Sequence, residues 1–109
     1  MLRTLLLATA LVAPATSALA LDPGAQRGLT FVRTNCAMCH AIGQVGDSPL
    51  AAAPPFRTLH NLYPVEDLAE SLAEGIVTGH PSMPQFTLDA AQVDDVIAYL
   101  KTLEDPAQQ

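Results

Sequence analysis

The chain's two cysteines stand three positions apart, and a histidine follows directly, in Cys36-Ala37-Met38-Cys39-His40. This cluster constrains the fold more than any other feature. It gathers two thiols and an imidazole, groups that form covalent links or bind metals, into one short stretch. The surrounding sequence is poor in core-building residues. Phe31, Phe56, Phe86, Tyr63 and Tyr99 are the only aromatics, and there is no Trp. A chain of 109 residues makes one domain with a thin core. That excludes a large enzyme with separate cofactor and substrate domains, and the absence of any recurring period excludes a repeat array. It also raises the question of what else fills the interior.

Residues 1–20 read as a secretory leader. Arg3 supplies the positive charge, an apolar run from Leu5 to Ala13 follows, and Ala18-Leu19-Ala20 gives an A-x-A cleavage site. Cleavage after Ala20 leaves residues 21–109 as the mature domain. The competing reading is an uncleaved anchor. The run is about half the ~20 residues that span a bilayer, and Pro14 interrupts it. The expectation is a periplasmic protein with no stable membrane insertion once the leader is removed.

The mature part reads as all-α, with three main helices and two long loops. Asp22-Pro23 opens a helix that runs to Thr34, with Leu29, Phe31 and Val32 as its apolar face. Gly28 inside it implies that another backbone comes close. Residues 41–64 have no period and carry Gly43, Gly46, Pro49, Pro54, Pro55 and Pro64, so they form a loop with one short helical turn at most. Val65, Leu68, Leu72 and Ile76 predict a second helix after Pro64 that ends near Gly75. A second irregular stretch covers residues 78–87. Val93, Val96, Ile97, Leu100 and Leu103 predict the last helix, with Asp89 and Gln92 as its cap.

The C-x-x-C-H spacing is the attachment signature of c-type haem. Two thiols at this spacing, at the end of a helix, reach the two vinyl groups of one porphyrin and form thioethers. His40 is then held where an imidazole nitrogen binds the iron. Four other readings compete: a Cys36–Cys39 disulfide, a thioredoxin-like pair, a zinc site, and chance. The redox pair needs a βαβ frame that the pattern lacks, and a closed zinc site needs a fourth ligand.

A six-coordinate iron needs a second axial ligand, and Met38, Met83, His60 and His80 are the candidates. Met38 lies inside the attachment loop. Met83 lies between Pro81 and Pro84 on a loop, where a methionine is hard to explain as core filling. Met83 is preferred, with His80 as runner-up. His60 reads as a loop residue facing a propionate or solvent.

The formal net charge of −6 and five scattered basic residues exclude a phosphate-neutralising stripe, and with it nucleic acid as a partner. An anionic membrane surface is an equally poor partner.

In this order and spacing, Gly28, Cys36-Ala37-Met38-Cys39-His40, Pro54-Pro55-Phe56, Glu74-Gly75-Ile76, Met83-Pro84 and Tyr99-Leu100 resemble a class I monohaem cytochrome c of the small bacterial type. The resemblance covers nearly the whole mature chain. It implies the cytochrome c fold, helices and loops wrapped around one covalent haem c. It implies that Gly28 lets the first helix cross the last near Tyr99. It implies that a proline carbonyl orients the axial imidazole, and Pro54 is preferred over Pro55 because Phe56 then falls over the haem. The family usually has Gly-Pro where this chain has Ala53-Pro54-Pro55. Arg57 is expected to pair with a propionate; its other reading is a solvated loop charge.

With both axial positions filled, the expectation is a monomeric one-electron carrier and not an enzyme. It would dock transiently with a dehydrogenase, reductase or oxidase at the exposed haem edge. Ala37, Met38, Ile42 and Pro84 would ring that edge. Two alternatives stay open: a haem-bearing subunit of a periplasmic dehydrogenase, and a ligand-sensing or weakly peroxidatic cytochrome with a labile sixth ligand.

Overall fold

The computed structural model describes residues 10–15, 20–75 and 83–104. Among them every regular element is helical and no strand occurs, as the all-α reading expects. Helix α1 spans Pro23–Asn35. Asp22 stays extended, and its carboxylate accepts a 3.0 Å hydrogen bond from the Ala25 N–H. Pro23 takes the first helical position, where no N–H is needed.

The loop after the cysteine cluster is tied down by its own backbone. The Leu50 N–H donates to the Cys39 carbonyl (3.1 Å) and the Phe56 N–H to the Ala41 carbonyl (2.9 Å). The Ala41 N–H donates to Ser48 Oγ (3.0 Å). The loop's one helical turn is a 3-10 segment at Phe56–Asn61.

The expected second helix is present, but its first turn differs. Val65–Asp67 is 3-10, and the α-helix proper, α2, spans only Leu68–Glu74. Pro64 brings the chain in extended, with ψ 131°. Asp67 then offers no side-chain cap, so the first turn tightens to satisfy its orphan N–H groups. Ile76, expected on this helix's apolar face, lies outside the described residues, as do residues 78–82 of the second irregular stretch. Helix α3 spans Ala90–Thr102 and starts with a full capping box: Asp89 Oδ1 accepts from the Gln92 N–H (2.8 Å) and Gln92 Oε1 from the Asp89 N–H (3.1 Å).

Helices α1 and α3 cross at Gly28. A Cβ on residue 28 would overlap the Asp95 carbonyl oxygen and fall 2.8 Å from Tyr99 Cβ. The missing side chain lets Val32 pack against the face of Val96, Tyr99, Leu100 and Leu103 in one buried cluster. Tyr99 pins the loop as well, donating its hydroxyl to the Ile42 carbonyl (2.5 Å). At the surface of the crossing, Arg27 holds Asp95 through two 2.8 Å hydrogen bonds. The Arg27 guanidinium keeps the Asp95 carboxyl below its ordinary range.

The crossing yields a test. Gly28→Ala pushes backbone against backbone, which cannot be relieved by a rotamer change. It is expected to cost about 2–3 kcal/mol of stability, as overpacked cores do. A denaturant titration of the purified protein reads it, and an unchanged midpoint would contradict the close crossing.

Candidate functional site

The cysteine cluster continues directly from α1. The Cys36 and Ala37 N–H groups both donate to the Val32 carbonyl (2.8 and 3.1 Å), and the His40 N–H donates to the Cys36 carbonyl (3.0 Å). The chain therefore turns tightly at the helix end and delivers Cys36, Cys39 and His40 to the lip and floor of one cleft. Met38 points outward and is 88% exposed.

His40 is 7% exposed. Its Nδ1 lies 2.8 Å from the Pro54 carbonyl oxygen. The carbonyl can only accept, so Nδ1 carries the proton and donates. In the neutral ring Nε2 is then the nitrogen with a free lone pair. Of the two prolines weighed for this contact, the geometry selects Pro54. Phe56 lies against the imidazole, with ring centroids 4.8 Å apart and planes inclined by 39°. Pro54 and Phe56 thus fix the imidazole by a hydrogen bond and by packing.

The cleft has two openings, of about 140 Å³ and about 170 Å³. Cys36, His40, Met83 and Phe86 line both. Behind them stand Val32, Leu59, Leu68, Leu72, Val96 and Leu100. The walls are mostly apolar, and their heteroatoms are the sulfurs of Cys36, Met38, Cys39 and Met83, the imidazole nitrogens of His40 and the polar groups of Thr34, Asn35 and Tyr63. Phe31 and Phe86 meet edge to face, centroids 6.4 Å apart, and close one side. Burial pushes the Cys36 thiol up to about 11. A thiol kept protonated in this way is not an activated thiolate nucleophile. The dithiol-oxidoreductase reading also lacks its frame, since the described residues contain no strand.

Arg57 is half-buried, and its Nη1 is fully shielded yet has no hydrogen-bond partner among the described residues. A shielded guanidinium nitrogen is costly unless an anion meets it. His60 lines neither opening, and His80 lies outside the described residues. The expected rim is partly revised. Met38 and Pro84 line the second opening, but Ala37 lines neither, Ile42 packs inward against the core and Leu50 takes a place at the lip.

Several lining residues escaped the sequence reading as site residues. Leu68, Leu72, Val96 and Leu100 follow helical spacing and were legible as core, though not as cleft wall. Leu59 and Tyr63 come from the irregular loop, where no period marks them.

The donor set and the walls fit a porphyrin. Apolar surfaces suit the ring, two thiols at one edge suit its vinyl groups, and an oriented imidazole and a thioether border the same space. The orphaned Arg57 nitrogen suits a carboxylate.

The comparisons with known proteins agree. The cytochrome c family model matches residues 25–104. The chain is 30% identical over 102 residues to a cytochrome c-552 of Bradyrhizobium diazoefficiens, covering 94% of each chain. It is 34% identical over 89 residues to a cytochrome c-553-like protein of Synechocystis sp., covering 78% of this chain and 74% of the relative. No solved structure matches significantly. A cleft with this donor set, on a helical frame matched by the family over residues 25–104, makes the chain a member of the cytochrome c family: a small class I, monohaem cytochrome with covalently bound haem c.

Proposed function

We propose that this protein is a periplasmic one-electron carrier with His/Met-ligated iron. Cys36 and Cys39 would carry its haem, and His40 and Met83 would be the protein ligands to the iron. The haem supplies a reversible one-electron ferric/ferrous couple. The observation that carries this reading is the imidazole of His40, oriented by the Pro54 carbonyl at 2.8 Å, in a cleft that Met83 also lines.

The remaining work falls to the chain. Pro54 fixes the tautomer and plane of His40, so that Nε2 presents its lone pair with little entropy to lose. Phe56 keeps the ring from tilting. The apolar walls raise the cost of an extra positive charge and so favour the reduced state, and a methionine ligand acts in the same direction. Arg57 offers its shielded nitrogen to a propionate and neutralises an acid that would otherwise be buried alone.

With His40 and Met83 both engaged, no coordination position is left for a substrate, which supports a carrier and not an enzyme. The exposed lip of Met38, Leu50 and Pro84 gives an apolar docking area for a dehydrogenase, reductase or oxidase. Such encounters are small and transient. The proposed carrier is a monomer released to the periplasm by cleavage after Ala20; among the described residues no helix is long and apolar enough to cross a membrane.

A redox-titrated absorption spectrum tests the ligation. The wild-type holoprotein is expected to be low-spin in both states. Met83→Ala is expected to lower the potential and open a position that binds carbon monoxide in the ferrous state. An identical spectrum and potential in the variant would remove Met83 from the iron.

Arg57→Leu provides a second test. If the guanidinium meets a propionate, the variant loses holoprotein stability and its potential falls, because a nearby cation favours the reduced state. If Arg57 is an unsatisfied charge that lies away from the haem, an apolar replacement is neutral or stabilising, and the potential stays put. Thermal unfolding and potentiometry together separate the two outcomes.

A further inference from the structure

Helix α2 ends at Gly75 with φ +105° and ψ 118°. This is backbone that a side chain rarely tolerates, so glycine is required here. The side chain of Gln85 lies over the bare Cα. A Cβ on residue 75 would fall 2.6 Å from Gln85 Nε2, 3.2 Å from its Cγ and 3.3 Å from its Cδ. The turn is what requires the glycine, and the exposed Gln85 side chain rests in the space that the missing Cβ leaves open. Just beyond, the Leu88 N–H donates to the Leu72 carbonyl (2.9 Å), and Phe86 packs edge-on against Phe31. These three contacts fix residues 85–88 on the end of α2 and on α1.

Met83 stands two residues before Gln85, with Pro84 between them. The proline ring locks φ at that link, which leaves fewer dihedrals to absorb a displacement between residues 85 and 83. We propose that Gln85, seated on Gly75, is a positioning residue for the Met83 thioether. It sets where the chain departs from the end of α2, and with that the reach of the sulfur into the cleft. The inference rests on Met83 being an iron ligand and extends it to the residue that holds the ligand in place.

The test uses the ferric holoprotein and imidazole, a small ligand that competes with Met83 for the iron. Its apparent affinity follows the fraction of molecules in which the sulfur is displaced. Gln85→Ala is expected to bind imidazole about tenfold more tightly than wild type. Gln85→Glu, which keeps the length and planar end of the side chain, is expected to stay close to wild type. Thr87→Ala, an exposed position in the same segment, is expected to change nothing.

A lower melting temperature for Gln85→Ala with unchanged imidazole affinity would overturn the proposal, leaving Gln85 a packing residue only. Equal tightening in Thr87→Ala would overturn it too, as a general loosening of the segment. Met83→Ala separates the two levels. If it binds imidazole much more tightly while Gln85→Ala does not, the clasp fails and the ligand assignment stands. If it binds imidazole no better than wild type, both fall.

Discussion

The close crossing of α1 and α3 is the constraint on which the rest of the structure depends. At Gly28 the two backbones meet where a side chain would otherwise stand. Three residues before the helix ends, Val32 is fully packed, and its carbonyl receives the N–H groups of Cys36 and Ala37. The attachment turn is therefore built on a buried residue. On the other helix, Tyr99 packs at the crossing and bonds the Ile42 carbonyl, which ties down the start of the loop that carries Pro54. One contact between helices thus fixes both the residue that presents the imidazole and the origin of the loop that orients it. For so short a chain this economy matters, because few buried groups are available to secure either part separately.

The site combines an apolar interior with a few polar contacts, each of which has a definite direction. A histidine buried among apolar walls must either find an acceptor or turn outward. Pro54 supplies the acceptor from the main chain, where it cannot rotate away. Two consecutive prolines make that carbonyl rigid, and the second, Pro55, leads into the 3-10 turn that carries Phe56 and Arg57. The four residues 54–57 therefore orient the imidazole, place a ring against it and shield a guanidinium nitrogen from solvent. Thr58 closes this turn by donating its hydroxyl to the Pro55 carbonyl (2.7 Å). The irregular loop is a compact device, and its proline content stabilises it by limiting the conformations open to the unfolded chain.

What the sequence disclosed and what it concealed divide along physical lines. The bounds of α1 and α3 were legible because caps and helical spacing are local signals: Asp22 with Pro23, and Asp89 with Gln92. The C-x-x-C-H cluster was legible because covalent attachment demands a fixed spacing. Pro54 was favoured over Pro55 only through Phe56, and the carbonyl contact with His40 agrees with that choice. The 3-10 start of the second helix was not legible, since Val65, Leu68 and Leu72 suit either helix at such short range. Nor were Leu59 and Tyr63 as cleft wall, because a loop residue's direction depends on hydrogen bonds made many positions away. The Gly75–Gln85 contact was beyond reach for the same reason: Gly75 looked like a helix end, and nothing in the sequence ties Gln85 to it.

Charge placement bears on how such a carrier meets its partners. Lys101, the chain's one lysine, is held by Glu66 at 2.5 Å. Arg27 is held by Asp95, and Arg57 has one guanidinium nitrogen shielded from solvent. Arg33, exposed in the last turn of α1, takes part in no salt bridge among the described residues. The lip formed by Met38, Leu50 and Pro84 carries no charge at all. A docking face of this kind gains little from long-range steering and relies on short-range desolvation once contact is made. Encounters then depend weakly on ionic strength unless the partner is itself strongly basic, in which case the overall acidity of −6 supplies the attraction. The arrangement favours release over residence, because an apolar contact confined to a few side chains is worth little once the cost of association is subtracted.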